Sequence, residues 1–590
     1  MTAHYERLSY LDNSFLALES RTTHMHVAGL LVFEAGPLRG ANGGLDIDRI
    51  RAFVGSKLHL IPRYRQRLAR VPIERHPVWV DDEHFHLEYH IRHTSVPAPG
   101  TDDQLLALMG RLASQQLDRS KPLWEVYVVE GLSGDRMALI SKIHHCMIDG
   151  MAGVDLMAVL LNLMPVTEIE ASPPYDPRPA PSGSELVVRE TVRRLGRAAT
   201  ATRNLRTLPE DAQTIAMQGA RYLRAMTYSL SSGWLSQAPH TPINGTLSPN
   251  RRFAMWDTPL SQVKEVKNGL GGTVNDVVLA TVAGGLRRFI TANHGFDVDG
   301  LQFRVMAPVS VRARGHQGTM GNQVAMWLLS LPVDEADPLT RLAKVTAETV
   351  NLKETDQALG AATLVRMSAG APATLVSLAS RLAQGARPFN MTVTNVPGPQ
   401  FPLYLLEARL LAQYPLVPLW HSHGLGIALF SYDGSMNWGF NADYDLMVDL
   451  DDLIAAMRDE FDALLALARA RPEGAATSAA SPSRGAAPRP RPPMGTGAAK
   501  PAAKKPAAAG RAAAEKPAPE KPAAPKTAAT KPAATRTAAK EPAATKTAAK
   551  EPAAEKPAAP KRAAKTPAPE KPAARKSAPR DAGASGDGEA

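Results

Sequence analysis

The sequence predicts an α/β protein of two similar lobes with a cleft between them, followed by a disordered tail. Three observations carry this reading. Strand-like and helix-like stretches mix in each half of the chain up to about residue 471, the pattern of layered α/β packing. A Pro/Ser-rich stretch at 170–185 separates the halves. Beyond residue 471 the composition collapses to Ala, Pro, Lys, Glu and Thr. The expected division is a first lobe at 1–170, a linker and basic helical crossover at 171–243, a second lobe at 244–471, and a tail at 472–590.

In the first half, Leu8, Leu11, Phe15, Leu16 and Leu18 mark a short helix, and His26 to Glu34 reads as a strand. From Asp46, residues Ile47, Ile50, Phe53, Val54 and Leu58 fall at helical spacing. The run from His84 to Ile91 alternates polar and apolar, so His84, His86, Glu88 and His90 are expected on one strand face. Such a face is able to ligate a metal, but a solvated polar face explains it more simply, and no metal site is expected. Thr101 to Gln104 reads as a capping box opening a helix through Leu105, Leu108, Met109 and Leu112. A turn at Ser133-Gly134-Asp135 then joins two apolar runs into a hairpin. The second run ends in His144-His145-Cys146-Met147-Ile148-Asp149-Gly150, with another apolar run from Met151 to Leu163 after it. A hairpin delivers the two histidines on a rigid support, as a catalytic base requires. Two histidines packed at a strand end is the bland alternative.

The crossover from Leu186 to Met226 is helix-prone and rich in arginine. Such a helix can lie on anionic lipid, though a solvated helix face accounts for it more simply. In the second half, Thr273 opens the clearest helix, with Val274, Val277, Val278, Val282, Leu286, Phe289 and Ile290 on its apolar face. Asn275 and Asp276 lie in its first turn beside free backbone N–H groups. Gly426 to Tyr432, an Asp433-Gly434 turn and Met436 to Phe440 form a second hairpin, before a final amphipathic helix through Leu453, Ile454, Met457, Phe461, Leu464 and Leu465.

The charge is unevenly placed. Residues 472–590 hold 23 Lys and Arg against 10 Asp and Glu, a net of +13, while the whole chain carries only +11. The body is therefore at −2, and nothing in it calls for nucleic acid. Recurring proline and the lack of bulky side chains predict a disordered, partly extended tail. A single cysteine, Cys146, fits a reducing compartment. The N-terminal residues show no secretion signal, and no run of about 18 apolar residues is present, so a cytoplasmic protein with at most peripheral membrane contact is expected.

Rival chemistries lack their motifs. The sequence has no Gly-x-Ser-x-Gly elbow, and Gly269-Leu270-Gly271-Gly272 does not continue into a phosphate-binding loop. Cys146 directly follows His145, whereas a nucleophile usually meets its base from elsewhere in the fold. A histidine at a cleft without such a partner suits direct general-base catalysis on a bound hydroxyl. Asp149 need not touch substrate; paired with an arginine, it holds the turn.

His144-His145-x-x-x-Asp149-Gly150 resembles the motif shared by bacterial wax ester synthase/diacylglycerol acyltransferases and peptide-synthetase condensation domains, both of the chloramphenicol-acetyltransferase-like superfamily. Further stretches look like the acyltransferase family in particular and follow its order over about residues 5–465. They are Leu11-Asp12-x-x-Phe15-Leu16, Met25-His26-Val27, Pro122-Leu123-Trp124-Glu125, Asn275-Asp276-Val277-Val278-Leu279-Ala280, Pro308-Val309-Ser310-Val311-Arg312, Gly321-Asn322-Gln323 and Asn395-Val396-Pro397-Gly398-Pro399. The resemblance implies two chloramphenicol-acetyltransferase-like lobes with a central active-site channel. It implies long-chain acyl-CoA as donor, so acyl-CoA is a substrate and no cofactor is needed. The acceptor would be diacylglycerol or a long-chain alcohol, and the product triacylglycerol or wax ester. It assigns His145 as general base, His144 as its support, Asp149 as structural and Gly150 to the turn. Asn275 and Asp276 fall in a second-lobe motif and are candidates for substrate or oxyanion contact; Asn275 is the candidate donor to the oxyanion, and a helix-capping role explains it nearly as well. A peripheral site on the inner membrane face or a lipid droplet fits such substrates. Two other classes stay open: a carrier-dependent condensation enzyme, and a polyanion-binding protein acting through its tail, on nucleic acid or anionic lipid.

Overall fold

A computed structural model of the protein describes residues 4–147, 159–206, 237–310, 324–354 and 387–471. Asp149, Gly150 and most of the apolar run after them lie outside the described residues. So do the basic segment beyond Arg206, the Gly321-Asn322-Gln323 stretch and the tail.

The first half runs β1 (Glu6–Arg7), α1 (Tyr10–Leu18), β2 (His26–Glu34), α2 (Ile47–Lys57), β3 (Gln66–Arg70), β4 (Pro77–Asp81), α3 (Leu87–His90), β5 (Ile91–Ser95), α4 (Asp102–Ala113), β6 (Trp124–Leu132) and β7 (Arg136–His144), then one 3-10 turn at His145–Met147. The connecting region contributes α5 (Gly183–Arg206). The second half runs β8 (Arg251–Pro259), α6 (Leu260–Leu270), α7 (Val274–His294), β9 (Phe303–Ser310), β10 (Val324–Leu331), α8 (Pro338–Glu354), β11 (Met391–Pro397), β12 (Tyr404–Leu405), β13 (Ala408–Leu416), β14 (Leu425–Tyr432), β15 (Ser435–Asp443) and α9 (Leu450–Ala470).

Local chemistry sets the boundaries. Ser9, Asp46, Thr101 and Thr273 each accept a backbone N–H in the first turn of the helix they precede, and Thr101 and Thr273 complete reciprocal capping boxes with Gln104 and Asp276. Both expected hairpins form. Their turns place Gly134, Asp135, Asp433 and Gly434 at positive φ, where Gly and Asp are least strained.

The strands form two six-stranded mixed sheets. One has the order β12-β13-β2-β7-β6-β5, the other β10-β9-β11-β14-β15-β8, and a small third sheet is β1-β4-β3. In the first, β7 is central and buried on both faces. Met137, Leu139 and Ile143 pack with Ile50, Phe53 and Val54 of α2, while Ala138 and Ile140 pack with Leu105, Leu108 and Met109 of α4. In the second, Val278, Val282 and Leu286 of α7 pack with Met457, Phe461 and Leu464 of α9 over Ile427 and Leu429 of β14.

The two sheets are joined by a strand that the sequence does not assign. Strand β13, from the second half, pairs antiparallel with β2 of the first sheet, with Leu410 opposite Phe33 and Leu416 opposite Ala28. The approach to β15 is so close that a Cβ on Gly439 would stand 2.0 Å from the Pro415 carbonyl oxygen. On the opposite side of the junction Arg251 is buried; its backbone N–H donates to Ser114 Oγ at 2.8 Å, and its guanidinium reaches both Asp443 and the Thr22 carbonyl.

One expected strand is corrected. The run from His84 to Ile91 is not a strand until Ile91: residues Leu87–His90 form a helical turn, and His90 leaves the polar face. His90 is 1% exposed, its Nδ1 lies 2.7 Å from the Trp124 carbonyl oxygen, and its ring stacks on Trp124 at 4.5 Å. That hydrogen bond and stack outweigh the alternation, and they remove His90 from the set of four residues that a metal would need.

Candidate active site

The histidine pair sits where β7 leaves the sheet. The His144 N–H donates to the Leu123 carbonyl at 2.9 Å and the His145 N–H to the Met25 carbonyl at 2.8 Å. His144 is also in register with His26 on β2. The backbone of the pair is thus held from two neighbouring segments, and the side chains then part.

His144 turns inward and is 1% exposed. Its Nδ1 accepts the Cys146 N–H at 3.1 Å, so the ring proton of the neutral form sits on Nε2. That Nε2 faces Glu19 Oε2 at 3.6 Å. Glu19 closes α1, accepts the Met25 N–H at 3.3 Å, and receives Arg119 Nε at 3.0 Å. Burial alone would raise the Glu19 carboxyl, but His144 and the Arg119 guanidinium outweigh it and hold it down to about 2. Arg119 also donates to the Leu16 carbonyl at 3.0 Å, tying the ion pair to the end of α1.

His145 turns toward α1, where its ring stacks on Phe15 with centroids 4.0 Å apart and planes 23° apart. Nδ1 is sealed from solvent and has no hydrogen-bond partner among the described residues. Burial pushes the imidazole down to about 4, against a weak opposing effect of its own backbone carbonyl, and His144 adds to the lowering. At neutral pH the ring is therefore uncharged and able to take up a proton. Phe15 in turn lies 6.4 Å from Trp420, which connects β13 to β14. A residue of the second half therefore flanks the first-half histidine through one aromatic ring.

Cys146 is 1% exposed and burial pushes its thiol well above the usual range, so it stays a thiol and packs with the α2-side core. Asp276 is 2% exposed and its carboxylate is fully engaged: it accepts the Thr273 N–H at 2.8 Å and the Thr349 hydroxyl at 2.9 Å. Both carboxylate oxygens are thus used in capping α7 and tying it to α8. Asn275 is half-buried in the same first turn, and neither it nor Asp276 hydrogen-bonds to the histidine pair.

The sequence did not single out Phe15, Glu19, Arg119 or Trp420. Phe15 lies in a quoted motif without a role. Glu19 carries a detectable signal, since a carboxylate at a helix C-terminus opposes the helix dipole and needs a compensating cation.

The catalytic-domain profile of wax ester synthase/diacylglycerol acyltransferases matches residues 8–278, and the family's C-terminal-domain profile matches residues 320–465. A Mycobacterium tuberculosis protein named provisionally as a diacylglycerol O-acyltransferase is 31% identical over 477 residues, covering 80% of this chain and 92% of its own. The chain belongs to the wax ester synthase/diacylglycerol acyltransferase family. Another provisionally named M. tuberculosis diacylglycerol O-acyltransferase is 33% identical over 500 residues, covering 78% of this chain and 97% of its own. The solved wax ester synthase/diacylglycerol acyltransferase of Marinobacter aquaeolei VT8 superposes with a TM-score of 0.56 at 26% identity, covering 79% of this chain and 100% of that one. The protein is thus an acyltransferase with the mixed α/β two-lobe fold of this family.

Proposed function

We propose that the protein moves a long-chain acyl group from acyl-CoA to the free hydroxyl of diacylglycerol, giving triacylglycerol and CoA. The observation that carries the mechanism is the uncharged His145 ring, stacked on Phe15 with Nδ1 closed off. Nε2 is then the working base. It takes the proton of the diacylglycerol hydroxyl as that oxygen attacks the thioester carbonyl. The C–O bond forms and the carbonyl oxygen becomes an oxyanion. Collapse breaks the C–S bond, and the departing CoA sulfur takes the proton back from the imidazolium. No acyl-enzyme forms, in keeping with the buried, protonated Cys146.

His144 and Glu19 position the turn without touching substrate; Asp149 and Gly150, which the family resemblance assigns to holding that turn, lie outside the described residues. Asn275 is the candidate donor to the oxyanion; its side chain is uncharged and its turn is fixed by the Thr273 cap. The choice of diacylglycerol rests on the names of the M. tuberculosis relatives; the family equally contains wax ester synthases. A lipid acceptor places the enzyme at a lipid surface, and among the described residues no helix is long and apolar enough to cross a membrane.

The test is competition between acceptors. Purified protein receives labelled palmitoyl-CoA with diacylglycerol and hexadecanol together, and products are separated by chromatography. Label mainly in triacylglycerol supports the reading; label mainly in wax ester replaces the acceptor; transfer only from a phosphopantetheinyl carrier overturns the donor.

A further inference from the structure

Helix α5 presents an apolar stripe to solvent. Val188, Val192 and Leu195 are 61%, 64% and 66% exposed and fall at i, i+4 and i+7, so they form one line along the helix. The opposite side of the helix is the one that packs. Leu186 is buried with Val71, Val78 and Val80 of the small sheet, and Glu190 is buried between Arg7, Arg193 and Tyr5. The stripe is therefore not the packing face turned outward by a loose helix. It is a second apolar face on a helix already seated by its first.

The sequence of the helix is basic. Within Gly183–Arg206 the sequence holds six arginines, at 189, 193, 194, 197, 203 and 206, against two glutamates. Arg194 bridges to Glu74 at 2.7 Å, joining the helix to the turn between β3 and β4. At that turn Ile73 is 91% exposed with φ at +67°. A β-branched side chain resists this left-handed backbone, and Gly or Asn would be the easier choice in a solvent-exposed turn. Two adjacent surface elements thus each expose aliphatic side chains where a solvated protein surface would carry polar ones.

We propose that α5 and the Ile73 turn form the surface by which this protein docks on an anionic lipid interface. The apolar stripe enters the headgroup boundary, and the net positive charge of the helix sequence, six arginines against two glutamates, favours an anionic surface, the composition of an interfacial amphipathic helix. A solvated face explains the arginines but leaves the stripe and Ile73 unexplained, and an apolar protein groove explains the stripe but not the excess positive charge. The proposal deepens the lipid-acceptor reading and rests on it for its purpose, while docking itself is measured without turnover.

Flotation of the full-length chain with vesicles tests it, using phosphatidylcholine alone and an equal mixture with phosphatidylglycerol. The tail, with its net charge of +13, remains in every variant, so its contribution cancels in the comparison. Val192→Asp and Ile73→Asp should each cut binding to the mixed vesicles roughly tenfold, while Val192→Leu binds as the parent does. Aspartate adopts the left-handed conformation more readily than isoleucine, so Ile73→Asp keeps its turn. Melting temperature and turnover of detergent-dispersed substrate should stay at the parent values. Equal binding by Val192→Asp assigns the interaction to other charges and overturns the proposal. So does a melting temperature lowered by several degrees, which would mean the stripe is covered by the protein itself, or a parent dimer that Val192→Asp splits. Vesicle binding without any turnover of diacylglycerol would remove the acceptor reading and leave the docking surface standing.

Discussion

Glu19 is a buried carboxylate that contacts the turn of the candidate base from outside the proposed reaction. It sits at the end of α1, faces the His144 ring and is balanced by Arg119. Removing its charge leaves the backbone links intact but takes away the partner that fixes the His144 ring, and with it the turn that aims His145. Glu19→Gln should lower kcat about tenfold with little change in KM, and cost about 1–3 kcal/mol of stability from the unpaired guanidinium and imidazole. Steady-state kinetics with a urea titration read both. An unchanged kcat beside lowered stability would make Glu19 a packing residue only. His145 was legible as a candidate base because the sequence offers no rival nucleophile motif and places it at a hairpin end. Glu19 and Arg119 were not, because a contact between residues 100 positions apart leaves no local pattern.

At the scale of elements, helix starts and tight turns were the most legible features. The caps at Thr101 and Thr273 and the two hairpins are written in short-range hydrogen bonding and backbone preference, whereas the caps at Ser9 and Asp46 were not singled out. The His84–Ile91 run misled because burial of His90 against Trp124 overrode its alternation. The placement of β13 in the first sheet was invisible for a related reason, since strand pairing is a long-range choice. The first turn of α7 holds the sharpest ambiguity, with capping and oxyanion roles two residues apart. Thr273→Ala should cost about 1 kcal/mol of stability with activity largely kept. Asn275→Ala should keep stability and lower kcat about 10²-fold as an oxyanion donor does. If Asn275→Ala leaves kcat unchanged, the donor lies elsewhere.

Six histidines of the described residues are held uncharged at neutral pH, five of them buried and His145 partly so. Burial pushes His24, His76, His90, His145 and His423 down to about 4 and holds His26 well below the usual imidazole range, with smaller electrostatic contributions. An unfolded chain binds protons at these sites near pH 6.5, whereas the folded chain does not until about 4. Stability is thus complete above pH 6.5 and falls as the pH drops toward 4, by up to ~1.4 kcal/mol per pH unit for each fully buried histidine. Thermal melts between pH 7.5 and 5 should show a steadily falling midpoint; a flat or rising midpoint would mean the histidines are charged in the fold. The loss precedes protonation of Glu19 and Asp81, both held down to about 2 by their cationic partners against the effect of burial.

Single-turnover acyl transfer by His145→Ala, on labelled palmitoyl-CoA and diacylglycerol, with the melting temperature of the variant matched to that of the parent, decides whether His145 is the base. The parent should release one CoA per triacylglycerol formed, and the variant should react ~10²–10⁴-fold more slowly without loss of fold. A folded His145→Ala protein that forms triacylglycerol at the parent rate would rule His145 out as the base.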